Sequence, residues 1–328
     1  MTVRASIVCV TSDPVLRRSL RRTLFAVADQ VAVVDDLEAL LTFAEAPPQL
    51  LILDASSQEL HDLKRLLRTL GWQSRIVTLA RWSAQEEALT LLDLCHCENL
   101  ISRQDELDEA EVLVTASKLL GGQDIFGLEK YLAWGVSVRS EAIRTYDDKR
   151  GAIEAVSGFA REIGCRRQLL GRIEIVVDEL LMNALYDAPA SHGGDRRSYV
   201  ERAVPGGGPV SDRTVTLRFA CDGRHFAVSV QDEYGGLRRD AIVSHLNRAV
   251  SLAGTPLADT DRGAGLGLYF ILSSVSRFVV NVDAGVATEV ICLFDLRGSP
   301  RDASVAAMSF NVFMAEGPPM VGSASPQP

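Results

Sequence analysis

The sequence lacks the features that mark several large classes of protein. It contains no run of about 18 apolar residues that could cross a membrane, and its opening stretch MTVRASIVCV predicts a strand rather than a signal peptide. Its six cysteines are scattered, so neither a disulfide framework nor a paired C-x-x-C zinc site is predicted. We therefore expect a cytoplasmic protein without a membrane partner.

Positive charge is also scarce. The 34 lysines and arginines are outnumbered by 43 acidic residues, which gives a net charge of −9. Helix-turn-helix and zinc-finger patterns are missing as well. Nucleic acid is therefore not expected among the partners.

The length of the chain predicts two domains. At 328 residues, with 47% hydrophobic and 23% charged residues, each domain can bury its own core. We predict a first domain over residues 1–121, a helical linker over 122–150, a second domain over 151–315 and a disordered tail over 316–328. The run MSFNVFM near the end of the second domain is expected as an edge strand.

The N-terminal third alternates short apolar runs with helical stretches. The runs are IVCV, VAVV, LLILD, RIVTLA and NLIS. Continuous apolar strands that alternate with helices predict a doubly wound parallel sheet. The working site of such a sheet lies beyond the carboxyl ends of its strands, and Asp54 ends the third run.

This arrangement resembles a two-component receiver domain, with Asp54 at the phosphoacceptor position. The family's acidic pair after the first strand is replaced by Thr11 and Ser12, with Asp13 one step beyond, and Arg103 stands near the expected lysine. Fewer carboxylates leave less charge to hold Mg²⁺. The resemblance therefore implies a degenerate receiver that does not use phosphorylation. Two alternatives stay open: Asp54 accepts phosphate with Asp13 in the metal site, or Asp54 is only an inherited carboxylate.

An amphipathic helix is predicted between Arg172 and Ala188, where apolar residues recur at helical spacing. Glu179 and Asn183 are four residues apart and share one stripe of this helix. A carboxylate and a carboxamide can serve a hydrated Mg²⁺, which takes few protein oxygens. The same pair is also typical of an ordinary solvated helix face.

Two further motifs follow this helix in the sequence. The strand VSVQ runs into Asp232, which is followed by Gly235 and Gly236, and a second motif opens an apolar helix with three alternating glycines, Gly263, Gly265 and Gly267. Glycines let backbone N–H groups approach an anion closely, and a helix N-terminus adds its dipole. The second motif is thus a candidate phosphate cradle.

In this order the three motifs resemble the Bergerat (GHKL) ATP-binding fold of gyrase-type ATPases, histidine kinases and anti-sigma factor serine kinases. The resemblance implies a C-terminal α+β sandwich that binds ATP and Mg²⁺. It assigns Asn183 to the metal, Asp232 to the exocyclic amine of adenine and Glu179 to the general base. It places four glycines along the nucleotide: Gly236, Gly263, Gly265 and Gly267. Tyr234 departs from the family, which has a glycine there.

The combined expectation is an α/β two-domain signalling protein of bacterial type, a degenerate receiver joined to an ATP-binding domain. By resemblance it phosphorylates serine or threonine of a protein partner, since no helix carries a phosphoacceptor histidine. The alternative is a non-catalytic adaptor in which nucleotide controls a protein interaction. Hydrolysis of the gyrase type is disfavoured because no transducer domain follows. A homodimer through the last helix of the receiver-like domain is left open.

Overall fold

The computed structural model describes residues 6–54, 57–80, 99–103, 107–122, 124–191, 193, 199, 201, 203–210, 212–238, 266–297 and 309–315. Across these residues the strands form one mixed sheet of eleven strands. None of the helices in these ranges is long and apolar enough to cross a membrane.

The first part of the sheet is parallel. Its strands are β1 (Ser6–Val10), β2 (Gln30–Val34), β3 (Leu50–Asp54), β4 (Arg75–Ala80) and β5 (Asn99–Ser102). They lie in the order β2-β1-β3-β4-β5, with every neighbouring pair parallel. This order is one of the two common orders of doubly wound sheets. The predicted N-terminal sheet is confirmed.

Within the described ranges, three helices cover the two faces of this parallel part. They are α1 (Pro14–Leu24), α2 (Ser57–Leu70) and α3 (Glu109–Gly121). Helices α1 and α3 contribute to one apolar cluster, whereas Leu63 of α2 belongs to the cluster on the other face. Because both faces are covered, β1 and β3 are buried almost throughout, which explains why they read as continuous apolar runs.

Local sequence signals define the ends of α1 and α3. The Asp13 side chain accepts hydrogen bonds from the first turn of α1, and Pro14 begins that helix. Asp108 caps α3 in the same way, and Gly122 ends α3 with a positive φ of 66°.

The rest of the sheet is mostly antiparallel. Its strands are β6 (Arg139–Ile143), β7 (Val215–Cys221), β8 (His225–Asp232), β9 (Arg277–Asp283), β10 (Ala287–Asp295) and β11 (Ser309–Met314). They continue the sheet in the order β11-β9-β10-β8-β7-β6, and only the β11–β9 pair in this part is parallel.

A layer of helices packs on one face of this second part. The helices are α4 (Tyr146–Glu162), α5 (Arg167–Met182), α6 (Ala188–Ser191) and α7 (Leu266–Ser274), and a π-helix, Asn183–Asp187, joins α5 to α6. The ring of Phe159 on α4 lies 5.5 Å from Phe219 and 5.7 Å from Phe226. The buried stripe of α5 is Ile173, Val176, Val177, Leu180 and Leu181. The chain is thus mixed α/β, and assignment of this part to the Bergerat type stays a prediction.

The strand β11 corrects one expectation. It was predicted as an edge strand, yet it lies between the two parts of the sheet, antiparallel to β5 and parallel to β9. Its side chains are buried on both faces from Ser309 to Phe313. Local alternation identified the strand, but it could not identify the neighbours, because those lie far away in the sequence.

The predicted helical linker over 122–150 is also only partly helical. It contains a 3-10 helix, Leu128–Tyr131, then β6 and the first residues of α4. Gly127 and Gly135 have φ of +116° and +85°, which interrupts the helical spacing of the apolar residues between them. Tyr131 is buried against the sheet, whereas Trp134 is fully exposed. The predicted tail over 316–328 lies outside the described residues.

Charged side chains connect α3 to the second part of the sheet. Asp108 contacts Arg277 at 2.6 Å and Arg224 at 3.0 Å, and Glu111 contacts Arg277 at 3.0 Å. Burial alone would raise the pKa of Asp108, but Arg277, the cap N–H of Glu111 and Arg224 lower it overall. The Asp108 carboxylate therefore stabilises the junction only while it is ionised.

We predict that Asp108→Ala destabilises the protein by about 3–5 kcal/mol, because it leaves Arg277 buried with one carboxylate fewer. A carboxylate with a lowered pKa stabilises the folded state above its unfolded pKa of about 3.9, and this contribution disappears as the pH falls further. The difference from wild type in urea unfolding should therefore be widest near pH 7 and should narrow below about pH 4. Asp35→Ala, which breaks an exposed pair with Arg17, is the control and should cost about 1 kcal/mol or less.

Candidate functional site

Four side chains meet at the carboxyl edge of the parallel sheet. Thr11 Oγ1 donates a hydrogen bond to Asp54 Oδ2 at 2.8 Å, and Arg103 Nη1 donates to the same oxygen at 2.7 Å. Arg103 Nη2 donates to Asp13 Oδ2. One guanidinium therefore bridges two carboxylates from different elements. We call Thr11, Asp13, Asp54 and Arg103 the acidic pocket.

The fold holds Arg103 firmly in the acidic pocket. Arg103 directly follows β5, and its backbone N–H donates to the carbonyl of Ala80 at 2.9 Å. The residue is 6% exposed. A planar guanidinium with several N–H donors matches two carboxylates in a fixed geometry better than a lysine ammonium does.

Asp13 has two roles in the pocket. One oxygen caps α1, accepting from the backbone N–H groups of Val15 at 2.8 Å and Leu16 at 3.3 Å, and the other accepts from Arg103. These cap bonds first, and Arg103 in addition, hold the pKa of Asp13 below its usual value. Asp13 is thus ionised and already engaged on both oxygens.

The acidic pocket does not fit the Mg²⁺ of an active receiver. Magnesium needs free, hard oxygen ligands in octahedral geometry. Here one guanidinium pairs with both carboxylates and offsets one of their two charges, and Thr11 donates a hydrogen bond to Asp54 where the family has a carboxylate. The degenerate interpretation is therefore favoured over the one with Asp13 as a metal ligand, and a phosphoacceptor role of Asp54 stays a prediction.

A second candidate site lies on the helical side of the antiparallel part. Glu179 is in the last turn of α5, and Asn183 opens the π-helix directly after it. Both are half-buried. The backbone N–H of Asn183 donates to the carbonyls of Glu179 and Leu180, so the two candidates are on consecutive turns. The sequence predicted one regular helix here, and the π-helix was missed, although such turns are frequent at functional sites.

Asp232 ends β8 on the sheet face that the helices cover. It shares this face with Phe226, Val228 and Val230, which belong to the same apolar cluster as the buried stripe of α5. Asp232 is 7% exposed, and its Oδ1 accepts from the backbone N–H groups of Tyr234 at 2.8 Å and Gly235 at 3.3 Å. The carboxylate is thus oriented by the turn that follows it.

The glycine motif after Asp232 is shaped by a close backbone approach. Gly235 has φ of +59°, and a Cβ there would lie 2.1 Å from the carbonyl oxygen of Asp283. Its own carbonyl accepts from Gly285 N–H at 3.0 Å. Tyr234, at the family's glycine position, is buried, and the Arg213 guanidinium lies 4.6 Å from its ring centre. The predicted nucleotide contact Gly236 is half-buried beside this turn.

The third motif is placed only in part. Gly267 lies in the first turn of α7. Gly263 and Gly265, the other two glycines of the predicted phosphate cradle, lie outside the described residues. Their predicted contact with a nucleotide therefore stays a prediction.

The donor chemistry of the second site fits a nucleotide-bound Mg²⁺. Glu179 and Asn183 offer hard oxygens, and such a metal takes one or two protein oxygens beside phosphates and water. Within the described ranges, no group of three or more His, Cys, Asp or Glu side chains could hold a metal by itself. If Mg²⁺ binds here, the nucleotide must supply most of its ligands.

The structure contains a buried polar cluster that was not predicted from the sequence. Lys118 Nζ donates to Asn281 Oδ1 at 3.1 Å, and Asn281 Nδ2 donates to Glu289 Oε2 at 2.9 Å. All three residues are buried. The available signal was a polar residue inside each of the apolar strands RFVVNVD and ATEVICLFD.

No protein-family model and no curated protein matches the sequence. Solved structures with similarity include the signal receiver domain of an HD domain-containing protein from Pseudomonas fluorescens Pf-5, at 15% identity and a TM-score of 0.31, over 36% of this chain and 96% of that chain. The receiver domain of RcsB from Salmonella enterica serovar Typhimurium, with phosphomimetic BeF3⁻, is 16% identical with a TM-score of 0.28. The match covers 37% of this chain and 88% of that chain. Full-length FixJ from B. japonicum is 14% identical with a TM-score of 0.29. The match covers 60% of this chain and 85% of that chain. TM-scores this low decide neither fold nor function.

We predict that Gly235→Ala destabilises the protein by about 3 kcal/mol or more, because the new Cβ meets backbone atoms that cannot move aside cheaply. The measurement is urea unfolding. Gly223→Ala is the matched control, since Gly223 has φ of +85° but a Cβ there meets nothing within 4 Å. The control should be destabilised only by the backbone strain that alanine has at this φ, about 1–2 kcal/mol. Equal losses in the two variants would contradict the close approach at Gly235.

Proposed function

We propose that this chain is a signalling protein of the two-component type whose receiver-like part works without phosphorylation and whose C-terminal part binds Mg-ATP. The observation that carries the first half of this proposal is the guanidinium of Arg103, which bridges Asp13 and Asp54. Support for the second half comes from the ordered motifs and from the placement of Asp232 on the sheet face that α5 covers.

The bridge by Arg103 opposes phosphorylation for a physical reason. A phosphoryl group added to Asp54 carries negative charge that a bound metal must neutralise in this kind of pocket. A metal can enter only if the buried Arg103 guanidinium leaves two partly exposed carboxylates, and that guanidinium would then be buried without a partner. The pocket therefore keeps a permanent cation of its own, and the receiver-like part acts as a fixed surface rather than a phosphorylation switch.

We expect wild type to show neither Mg²⁺ binding at the acidic pocket nor phosphorylation of Asp54 by acetyl phosphate. Arg103→Ala should gain Mg²⁺ binding, because Asp13 and Asp54 lose their shared cation. The measurements are calorimetric titration with Mg²⁺ and intact-mass analysis after treatment with acetyl phosphate. Arg17→Ala, which removes an arginine from an exposed pair, serves as the control and should behave as wild type. A phosphorylated Asp54 in wild type would refute this half of the proposal.

The roles proposed for the C-terminal part follow the motifs. Asn183 holds Mg²⁺, Asp232 accepts from the adenine amine, and Glu179 is the base toward a serine or threonine of a protein partner. Bound Mg²⁺ would neutralise phosphate charge. The phosphate contacts are proposed for the glycines Gly236, Gly263, Gly265 and Gly267. The proposed partners are a signalling protein as substrate and a second copy of the chain, and neither nucleic acid nor membrane is among them.

A second candidate function is a non-catalytic adaptor regulated by nucleotide. The packing of Tyr234 under Arg213, where the family has glycine, favours it. Glu179→Ala separates the two functions: a kinase loses phosphoryl transfer to its partner and keeps ATP binding. In an adaptor the same variant leaves signalling unchanged.

We predict Mg²⁺-dependent calorimetric binding of a non-hydrolysable ATP analogue to wild type, weakened at least about tenfold in Asn183→Ala and Asp232→Asn, since each variant removes one proposed contact. Asparagine at position 232 can still accept from the N–H groups of Tyr234 and Gly235, so this variant removes the charge and keeps the turn.

The matched control for Asp232→Asn is Asp222→Asn. Asp222 caps the β7–β8 turn in the same way, accepting from Arg224 N–H at 2.9 Å and His225 N–H at 2.7 Å, but it lies at the other end of β8. It should bind the analogue as wild type does. A folded wild type that binds no analogue would refute the nucleotide half of the proposal.

A further inference from the structure

Helix α3 turns a polar stripe toward the second part of the sheet. Glu111, Thr115 and Lys118 follow one another at helical spacing, and none is more than 4% exposed. Helix α3 is the last helix of the receiver-like part, yet Glu111 contacts Arg277 of β9 at 3.0 Å and Lys118 contacts Asn281 of β9 at 3.1 Å. The junction beneath α3 is therefore lined by polar groups rather than by an apolar seam alone.

The middle of this stripe has unmet hydrogen-bonding capacity. Thr115 Oγ1, Asn99 Oδ1 and both polar side-chain atoms of Asn311 are buried and have no hydrogen-bond partner. Asn99 of β5 and Asn311 of β11 are register partners, so they meet where the two parts of the sheet join. Buried polar atoms without partners cost free energy that exposure to water would recover.

Lys118 is the last residue of the stripe, toward the carboxyl end of α3. Its Nζ lies 4.6 Å from the ring centre of Tyr131 and 4.7 Å from that of Phe313. Burial lowers the pKa of Lys118 to about 7, and Glu289 of β10 works against that shift. Lys130 and Asp124, from the segment before β6, also face this amine with opposite effects. The carboxylate of Glu289 accepts from Asn281, and Lys118 donates to Asn281, so the carboxamide lies between the amine and this carboxylate.

These contacts make the docking of α3 sensitive to the charge on Lys118. In the docked state a protonated amine has one hydrogen bond to a neutral carboxamide and two aromatic ring faces, which attract the cation, but little water, and this lack of hydration opposes the charge. On release it regains full hydration, as do Thr115, Asn99 and Asn311.

We propose that α3 is a clasp between the receiver-like part and the rest of the sheet, and that uptake of a proton by Lys118 opens it. The clasp consists of the polar stripe Glu111, Thr115 and Lys118, of Arg277, Asn281 and Glu289, and of the unpartnered Asn99 and Asn311. It requires neither ATP binding nor a particular state of Asp54. Opening exposes both the polar stripe of α3 and the strands it covers.

The sign of the effect follows from linkage. Between about pH 7 and the ordinary lysine value of 10.5, the docked lysine is neutral and the released lysine is protonated. Each unit of falling pH in this window therefore raises the opening equilibrium about tenfold. Below about pH 7 both states are protonated, and the contribution of Lys118 levels off.

The test is hydrogen–deuterium exchange of the full chain between pH 7 and 9, corrected for the intrinsic pH dependence of exchange. Peptides covering α3 and β11 should lose protection about tenfold per unit as the pH falls toward 7. The protection of peptides from β1 and β8 should change less with pH, because these strands are not exposed when the clasp opens. Equal changes in all peptides would mean global unfolding and would overturn the proposal.

Lys118→Met isolates the lysine, because methionine fills the space between the two rings and leaves every carboxylate of the clasp in place. Its α3 and β11 peptides should lose the steep pH dependence. Lys149→Met is the matched control: Lys149 is also buried, but it pairs with Asp178 at 2.7 Å on the other face. In that variant the protection of the α3 and β11 peptides should depend on pH as steeply as in wild type. If Lys118→Met does not fold, a flat wild-type profile between pH 7 and 9 would still refute the clasp.

Discussion

The bridge from Arg103 to two carboxylates is the constraint on which the receiver-like part depends. Asp54 comes from the end of β3 and Asp13 from the cap of α1, and without a cation between them the two negative charges would repel. An active receiver supplies a metal for this purpose, whereas this chain supplies its own guanidinium. A permanent internal cation stabilises the pocket but leaves no room for a metal that binds and dissociates, which is the basis of the structural role proposed for this part.

Arg103 is held in turn by the junction of the sheet. It follows β5, and β5 pairs with β11, the last described strand of the chain. The N–H of Ser102, next to Arg103, donates to Ser309 Oγ of β11 at 2.9 Å. The acidic pocket and the polar junction beneath α3 are therefore neighbours along one strand. Arg103 thus directly follows the residue of β5 that donates to β11.

Local sequence patterns predicted the parts whose neighbours are near in sequence. The five apolar runs gave the parallel sheet, and the spacing from Ile173 to Leu181 gave α5. Long-range pairing was not predictable: β11 was expected at an edge, and β6 was expected as helix, because neither pattern contains information about the partner strand. In the pocket, Asp54 and Arg103 were identified by position, but the double contact of Arg103 required the fold. The close approach at Gly235 likewise depends on a turn about 50 residues away, so the glycine alone could not reveal it.

The most direct test of the closed pocket is a crystal structure of wild type grown with Mg²⁺ and beryllium fluoride, which together mimic a phosphorylated receiver. We predict density for the Arg103 guanidinium between Asp13 and Asp54, with no metal and no fluoride complex on Asp54. A magnesium ion bound to Asp13, with beryllium fluoride on Asp54 and Arg103 displaced, would contradict the central claim and restore phosphorylation as the function of this pocket.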